Sequence, residues 1–253
     1  MQVLENPGCE PGPYLDGWIN TACYPDHLVW FFGGCFLWVI VYGILIYNGF
    51  RYRFIEMPAI ALAGNFAWEF TWSFLNSTNM GLLATWTYRA WFFVDVGILL
   101  MLLRWGHKQG WSPFFFRYFK PTVFVAILMW GAMFYSYTLA GYTDHYIGAI
   151  SAYLDNVAVS ALYIFMLQRI RDVRAMSPWV AWLKMIGTGM NTVFMFLVFT
   201  QDHFLHTVAV VVFVLDCIYI VMLRQRRKAQ AAGIEGVPLL GARGPVQVQS
   251  RFA

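Results

Sequence analysis

Long apolar runs separated by short polar stretches dominate the chain from residue 28 to residue 223. A helix needs about 20 apolar residues to cross the hydrocarbon core of a bilayer, and seven runs approach that length. The pattern therefore predicts an all-α polytopic membrane protein, a bundle of seven transmembrane helices. The predicted spans are Leu28–Tyr47, Met57–Leu75, Thr87–Leu103, Pro121–Ala140, Tyr146–Leu167, Val180–Phe199 and Phe204–Leu223.

Basic residues follow the first, third, fifth and seventh spans, and the opposite loops hold almost none apart from Arg89. Cytoplasmic loops carry an excess of Lys and Arg. The N-terminus is therefore predicted to be extracellular or lumenal and the C-terminus cytoplasmic. The basic positions that define this asymmetry are Arg51, Arg53, Arg104, Lys108, Arg117, Lys120, Arg169, Arg171, Arg174, Arg224, Arg226, Arg227 and Lys228.

Three segments follow from this pattern. Residues 28–228 are predicted to form the seven-helix membrane domain. Residues 1–27 are predicted to be an extracytoplasmic segment that lacks a cleavable signal, and the sequence leaves open whether Cys9 and Cys23 pair. Residues 229–253, rich in Gly, Ala, Gln and Val, are predicted to be a disordered cytoplasmic tail.

Composition supports the membrane assignment. The chain is 60% hydrophobic and only 12% charged, whereas soluble domains carry about 25% charged residues. The net charge of +4 comes from the loops between apolar runs, which argues against a nucleic-acid partner. No zincin, phosphate-loop, nucleophile-elbow, DDxxD or DxDD motif occurs, so neither a metal nor another cofactor is predicted. The oligomeric state stays open.

Four acidic residues lie inside predicted spans: Glu69, Asp95, Asp155 and Asp216. A charge at the bilayer centre costs about 2.5–3.5 kcal/mol on insertion scales. No basic residue lies in mid-span to pair with these acids, and Lys184 is expected to extend toward the headgroups. Four unpaired acids cannot all be ionised in lipid, so some of them are expected to be protonated, or hydrogen-bonded to one another, around one intramembrane cavity.

Helical spacing supports such a cavity. Asn65, Glu69 and Trp72 are separated by four and three residues, which places them on one face of the second helix. Asp216 and Tyr219 share a face of the seventh helix. The other candidate substrate-binding residues are Trp68, Asp95 and Asn191.

The segment Asn65-Phe-Ala-Trp-Glu-Phe70 resembles the Asn-Ile-Ala-Trp-Glu signature of the small integral-membrane terpene cyclases of meroterpenoid and indole-diterpene biosynthesis, such as the pyripyropene and paxilline cyclases. The blocks Trp91–Asp95 and Phe213–Tyr219 are similar to two further blocks of that family. The resemblance implies a metal-independent, proton-initiated cyclase of the isomerase or lyase type. Two acidic residues are essential in the family, and they correspond here to Glu69 and Asp216.

The implied chemistry agrees with the buried acids. A carboxylic acid kept neutral can protonate an epoxide or an alkene of a lipophilic prenylated substrate, and ring closure then proceeds through carbocations. One of Glu69 and Asp216 would be the acid, and the other would orient it, reprotonate it or take the final proton. Aromatic faces would stabilise the cations. Residues expected to hold the substrate head or the acid's hydrogen-bond network are Asn65, Asp95 and Asn191.

Other interpretations remain at this point. Buried carboxylates in a helix bundle also suit a proton-coupled transporter, although no internal repeat is evident. A heptahelical receptor would need larger outer loops than this sequence has. Asp155 and Asn156 equally fit a purely structural role of bonding a neighbouring helix. The compartment also stays open between the endoplasmic reticulum and a bacterial cytoplasmic membrane.

Overall fold

The computed structural model describes residues 18–19, 27–109 and 113–234. Within these ranges the chain forms helices and no strand, which confirms the all-helical prediction. Cys9 and Cys23 lie outside the described residues. The seven α-helices of the described ranges are α1 (Leu28–Tyr52), α2 (Ala59–Phe70), α3 (Leu82–Trp105), α4 (Pro113–Leu139), α5 (Ala149–Arg169), α6 (Pro178–Val198) and α7 (His203–Ala231).

Six of these helices, all except α2, are long and apolar enough to cross a membrane, so the protein is an integral membrane protein. The exception is α2, which has 12 residues and continues into a five-residue π-helical turn, Thr71–Leu75. The sequence predicts a single span at Met57–Leu75. The helix begins later because Pro58, in extended conformation, forms its N-terminal boundary.

Both α4 and α7 extend beyond their predicted bounds. α4 begins at Pro113 and bends at Tyr118, three residues before Pro121. A proline inside a helix lacks an N–H group and clashes with the preceding turn, which explains the bend. α7 continues through Ala231, so the prediction that the tail is disordered from residue 229 is wrong for residues 229–231. Residues 235–253 lie outside the described part of the chain.

The centre of the bundle is α2, which packs against α3, α4 and α5, while α6 packs against α1 and α7. Small buried residues on α2, among them Ala61, Gly64 and Ala67, let the neighbouring backbones approach closely. The start of α2 is held by Gln109, whose side chain accepts from Ala59 N (3.0 Å) and donates to Ile55 O (2.7 Å). These contacts position the helix that carries Glu69.

A second set of contacts joins the α5–α6 loop to the end of α7. The Arg174 guanidinium donates to Asp172 through Nε and Nη2, with the Nη2–Oδ2 distance at 2.7 Å. The Gln230 side chain donates to Asp172 Oδ1 (3.2 Å) and accepts from Val173 N (2.8 Å). Gln230 is fully buried by these contacts, which explains why α7 stays helical beyond the predicted end.

This loop contact should make stability depend on pH. Burial raises the pKa of Asp172, but hydrogen bonds from Arg174 and Gln230 outweigh burial and lower the pKa below its usual value. The stabilisation is therefore complete above the unfolded pKa of about 3.9 and is lost as the pH falls through the lower folded value. We expect Asp172→Asn to lower the unfolding temperature at neutral pH, with the difference from the parent shrinking below about pH 4. Thermal unfolding in detergent across pH measures it, and a difference that grows in acid would contradict the assignment.

Candidate active site

A cavity of about 90 Å³ lies inside the bundle, among side chains of α1, α2, α3, α5 and α6. One face of α1 supplies Phe31, Cys35, Trp38 and Tyr42, whose spacing of four, three and four residues follows the helical repeat. Trp68, Tyr88 and Trp91 make much of the rest of the lining aromatic. The remaining lining residues are Asn65, Glu69, Ile147, Gly148, Ala149, Ala152, Tyr153, Asp155, Asn156, Thr188, Asn191 and Met195.

Glu69 lies in this cavity at the centre of a small hydrogen-bond network. Tyr42 Oη donates to Glu69 Oε1 at 2.9 Å. The Asn65 amide nitrogen donates to Glu69 Oε1 (3.0 Å) and to Asp95 Oδ2 (2.7 Å), and it also lies 2.7 Å from Tyr42 Oη. Two carboxyl groups bridged by one amide repel each other when both are charged, so a proton on one of them stabilises the arrangement.

The two carboxyl groups each keep one unpaired oxygen. Glu69 is 1% exposed and Asp95 is fully buried. Glu69 Oε2 and Asp95 Oδ1 have no hydrogen-bond partner among the described residues. An unpaired buried polar group is costly, and active sites are where such groups are retained. The π-helical turn that follows Glu69 is a further departure from regular helix of the kind often found at functional sites.

The α4–α5 turn covers the cavity. Asp144, His145 and Tyr146 all have left-handed backbones, with φ of 50°, 57° and 59°. Such a run is costly for residues with a Cβ, by about 1–2 kcal/mol each. The Asp144 side chain restrains the turn by accepting from Ile150 N (2.6 Å), and His145 Nε2 lies 2.7 Å from Asp202 Oδ2 of the α6–α7 turn.

The turn meets the cavity at Gly148. Its φ of 73° favours glycine, and a Cβ there would overlap the indoles of Trp68 and Trp72. The Trp68 indole donates to Ser151 Oγ at 2.8 Å, and Tyr88 Oη donates to Ile147 O at 3.0 Å. The turn and the aromatic wall therefore close this end of the cavity together.

Asp216 lies in a separate buried cluster. Lys184 Nζ contacts Asp216 Oδ1 at 2.5 Å and donates to Ser160 Oγ at 2.7 Å. Lys184 is only 2% exposed, so the expectation that it extends to the headgroups, leaving the acids without a basic partner, is wrong. The physical reason is that α6 packs against α7, which places the ammonium beside a carboxylate that would otherwise be buried alone.

The structure brings together some predicted site residues and separates others. Those lining the cavity are Asn65, Trp68, Glu69 and Asn191. Asp95 lies one hydrogen bond away, behind Asn65, and Trp72 packs beside Trp68 with ring centroids 6.3 Å apart. Asp216 and Tyr219 do not line the cavity, and Tyr219 instead packs edge-on against Tyr163 at 5.1 Å.

Sequence reasoning missed several lining residues. Trp38 and Tyr42 lie in an apolar span without an acidic neighbour, so only their helical spacing with Phe31 and Cys35 marks them. Trp91 contributes an indole nitrogen without a partner among the described residues. In the described ranges no group of three or more His, Cys, Asp or Glu side chains is placed to hold a metal ion.

A bundle of apolar helices with a carboxyl group in an internal aromatic cavity defines an integral membrane protein with an enclosed polar site. A family model for Pyr4-like transmembrane terpene cyclases matches residues 24–229. This match covers most of the chain, so the protein belongs to that family and is a membrane-embedded terpene cyclase. No curated protein and no solved structure matches the chain.

Proposed function

We propose that the protein is a metal-independent, proton-initiated cyclase of a lipophilic prenylated substrate of the meroterpenoid type. The observation that carries the proposal is the placement of Glu69, a buried carboxyl group in an aromatic cavity inside the membrane bundle. A neutral carboxylic acid there can protonate an epoxide oxygen or a terminal alkene, and positioned proton donors contribute about 10²–10⁴-fold to rate.

The hydrogen bonds give the two oxygens of Glu69 different roles. Oε1 accepts from Tyr42 and Asn65, so it is the oxygen held by the protein. Oε2 has no partner among the described residues and is the oxygen that would carry the proton toward the substrate. Asn65 also ties Asp95 to this network, which orients the carboxyl group without competing for Oε2.

The family resemblance implies that Glu69 and Asp216 are both essential. The ion pair between Lys184 and Asp216 gives these two acids different roles. A proton donor must carry a proton, whereas Asp216 contacts the Lys184 ammonium and is held as a carboxylate. Glu69 is therefore the donor in this proposal. Asp216 neutralises Lys184 and so holds α6 and α7 together beside α5.

The surroundings suit carbocation chemistry. Aromatic faces attract cations by about 0.5–2 kcal/mol each, and Trp38, Trp68 and Trp91 line the cavity. The covering α4–α5 turn excludes water, which would otherwise quench the cation. We also propose that α2 with its π-helical turn makes a seventh crossing, that the N-terminus is extracytoplasmic and the C-terminus cytoplasmic, and that the prenyl chain enters from the bilayer.

Product analysis by mass spectrometry tests the function. Membranes containing the protein would receive farnesylated phenols, with and without a terminal epoxide, in the presence of a metal chelator. We expect a cyclic product isomeric with its substrate, at a yield that the chelator does not change. Unchanged substrates together with proton flux in liposomes would instead support a carrier and contradict the proposal.

Tyr42 offers a graded test of the acid's network. Tyr42→Phe removes one hydrogen bond to Glu69 Oε1, worth about 0.5–1.5 kcal/mol. We expect kcat to fall by about threefold to tenfold, with little change in KM, because the phenyl ring keeps the cavity shape. Tyr163→Phe, which removes a buried hydroxyl outside the cavity, is the matched control and should leave kcat unchanged. Equal effects of both changes would contradict a specific role for Tyr42.

A further inference from the structure

We infer that Asp155 is the base that accepts the final proton, so that acid and base face one cavity from α2 and α5. This inference rests on the proposed function. A cyclase that starts by giving a proton must end by removing one, unless water quenches the cation. Apart from Glu69, Asp155 is the acidic residue that lines the cavity in the described part of the chain.

Asp155 is positioned for this role by packing rather than by hydrogen bonds. It is 3% exposed, and its Oδ1 has no hydrogen-bond partner among the residues described. Oδ1 lies against Gly64 of α2, where an added Cβ would overlap it and would come within 3.0 Å of the Trp130 ring. The absence of a side chain at Gly64 thus makes room for the carboxyl group.

A cascade that begins and ends at different carbons needs its acid and its base at different positions. Glu69 follows Gly64 by five residues, which corresponds to about 7.5 Å along the α2 axis. Asp155 packs at Gly64, so the two acids meet α2 at backbone positions five residues apart. A base at the donor's own position would remove the proton from the carbon or oxygen that had just received it.

Charges of both signs act on Asp155. The Lys184 ammonium, which contacts Asp216, also attracts Asp155, whereas Asp95 repels it. The other acids are less suited to the role. Asp95 is engaged by Asn65 and does not line the cavity, and Asp216 is held by Lys184 outside it.

The proposed step balances within the protein. Glu69 becomes a carboxylate when it gives its proton to the substrate. The final cation then loses a proton from the carbon next to the charge, and the electrons of that C–H bond become a C=C bond. Asp155 takes the proton and passes it back to Glu69 after product release, so the net reaction is an isomerisation without a co-reactant.

Asp155→Asn tests the inference with a farnesylated phenol that carries a terminal epoxide. Initiation by Glu69 is intact, so we expect substrate consumption to fall by less than about tenfold, whereas the parent alkene product falls by about 100-fold or more. The substrate that is consumed but not converted to the parent alkene should appear as a product heavier by one water molecule or as other alkene isomers. Asp155→Glu, which keeps a carboxylate, should restore part of the parent product.

Asp172→Asn is the matched control, because it also replaces a buried acid but outside the cavity. Its ratio of parent alkene to other products should equal that of the parent protein. Size-exclusion chromatography in detergent shows whether each variant folds. If Asp155→Asn does not fold, Gly64→Ala tests the inference instead. The added Cβ displaces the Asp155 carboxyl group, and the variant keeps every reacting group. The same product shift in Gly64→Ala supports the inference.

Three results overturn the inference. One is a ratio of parent alkene to other products that equals the parent's in folded Asp155→Asn, or in Gly64→Ala if Asp155→Asn does not fold. Another is complete loss of substrate consumption by folded Asp155→Asn, which would place Asp155 in initiation. Absence of any isomeric product from the parent protein would remove the proposed function itself, and the base assignment with it.

Discussion

Glu69→Gln is expected to lower turnover by about 10²–10⁴-fold while leaving the fold intact. The amide has nearly the shape of the acid, and its oxygen can still accept from Tyr42 and Asn65 at the Oε1 position. At the Oε2 position it presents an NH₂ group, which cannot give its proton to an epoxide or an alkene at neutral pH. The loss should therefore appear in the chemical step and leave substrate binding largely unchanged.

Single-turnover mass spectrometry with purified protein measures this loss. Glu56→Gln is the matched control, because Glu56 is also 1% exposed but lies in the α1–α2 loop, where its Oε1 accepts from Ser177 N at 3.0 Å. That control is expected to give the parent product. Retained turnover in Glu69→Gln, or an equal loss in both variants, would rule out Glu69 as the proton donor.

Lys184→Met is expected to destabilise the protein by about 3–5 kcal/mol, because it leaves the buried Asp216 carboxylate without its partner. Replacing both members of such a pair with apolar residues is often neutral or stabilising. The double variant Lys184→Met/Asp216→Leu should therefore recover most of the lost stability. Thermal or chemical unfolding in detergent, analysed as a double-mutant cycle, measures the coupling between the two residues.

The double variant also separates the two possible roles of Asp216. If Glu69 is the donor and Asp216 neutralises Lys184, the folded double variant should keep cyclase activity within about tenfold of the parent, a loss of at most about 1.4 kcal/mol in activation free energy. If Asp216 is the proton donor, the double variant should be folded and inactive. Recovery of stability without recovery of activity would therefore contradict the assignment made above.

Hydropathy alone predicted where the helices lie, because burial of about 20 apolar residues in a bilayer leaves little choice of structure. The ends of the helices were harder to predict. α7 extends to Ala231 because Gln230 is buried against the α5–α6 loop. The residues next to Gln230 in the sequence do not predict that contact. α2 is shorter than its apolar run because Pro58 and the π-helical turn bound it.

Within the site, local spacing identified Asn65 and Glu69 as neighbours, since residues four apart on a helix share a face. The contact was confirmed by the 3.0 Å hydrogen bond between them. Tyr42 was not predicted, because it is 27 residues away from Glu69 and meets it only across the α1–α2 packing. Spacing on α7 also placed Asp216 on a face with Tyr219, but it did not show that this face lies outside the cavity.

The amino-acid sequence alone established the membrane class, the helical architecture and the terpene-cyclase resemblance, and it marked Glu69 as a candidate proton donor. Each of these depends on residues close together in the chain or on its average polarity. The partners of the buried acids depended on helix packing, which pairs Lys184 with Asp216 and places Asp155 against Gly64. A buried charge takes whichever partner packing brings within a few ångströms, and separation along the chain carries no information about that distance.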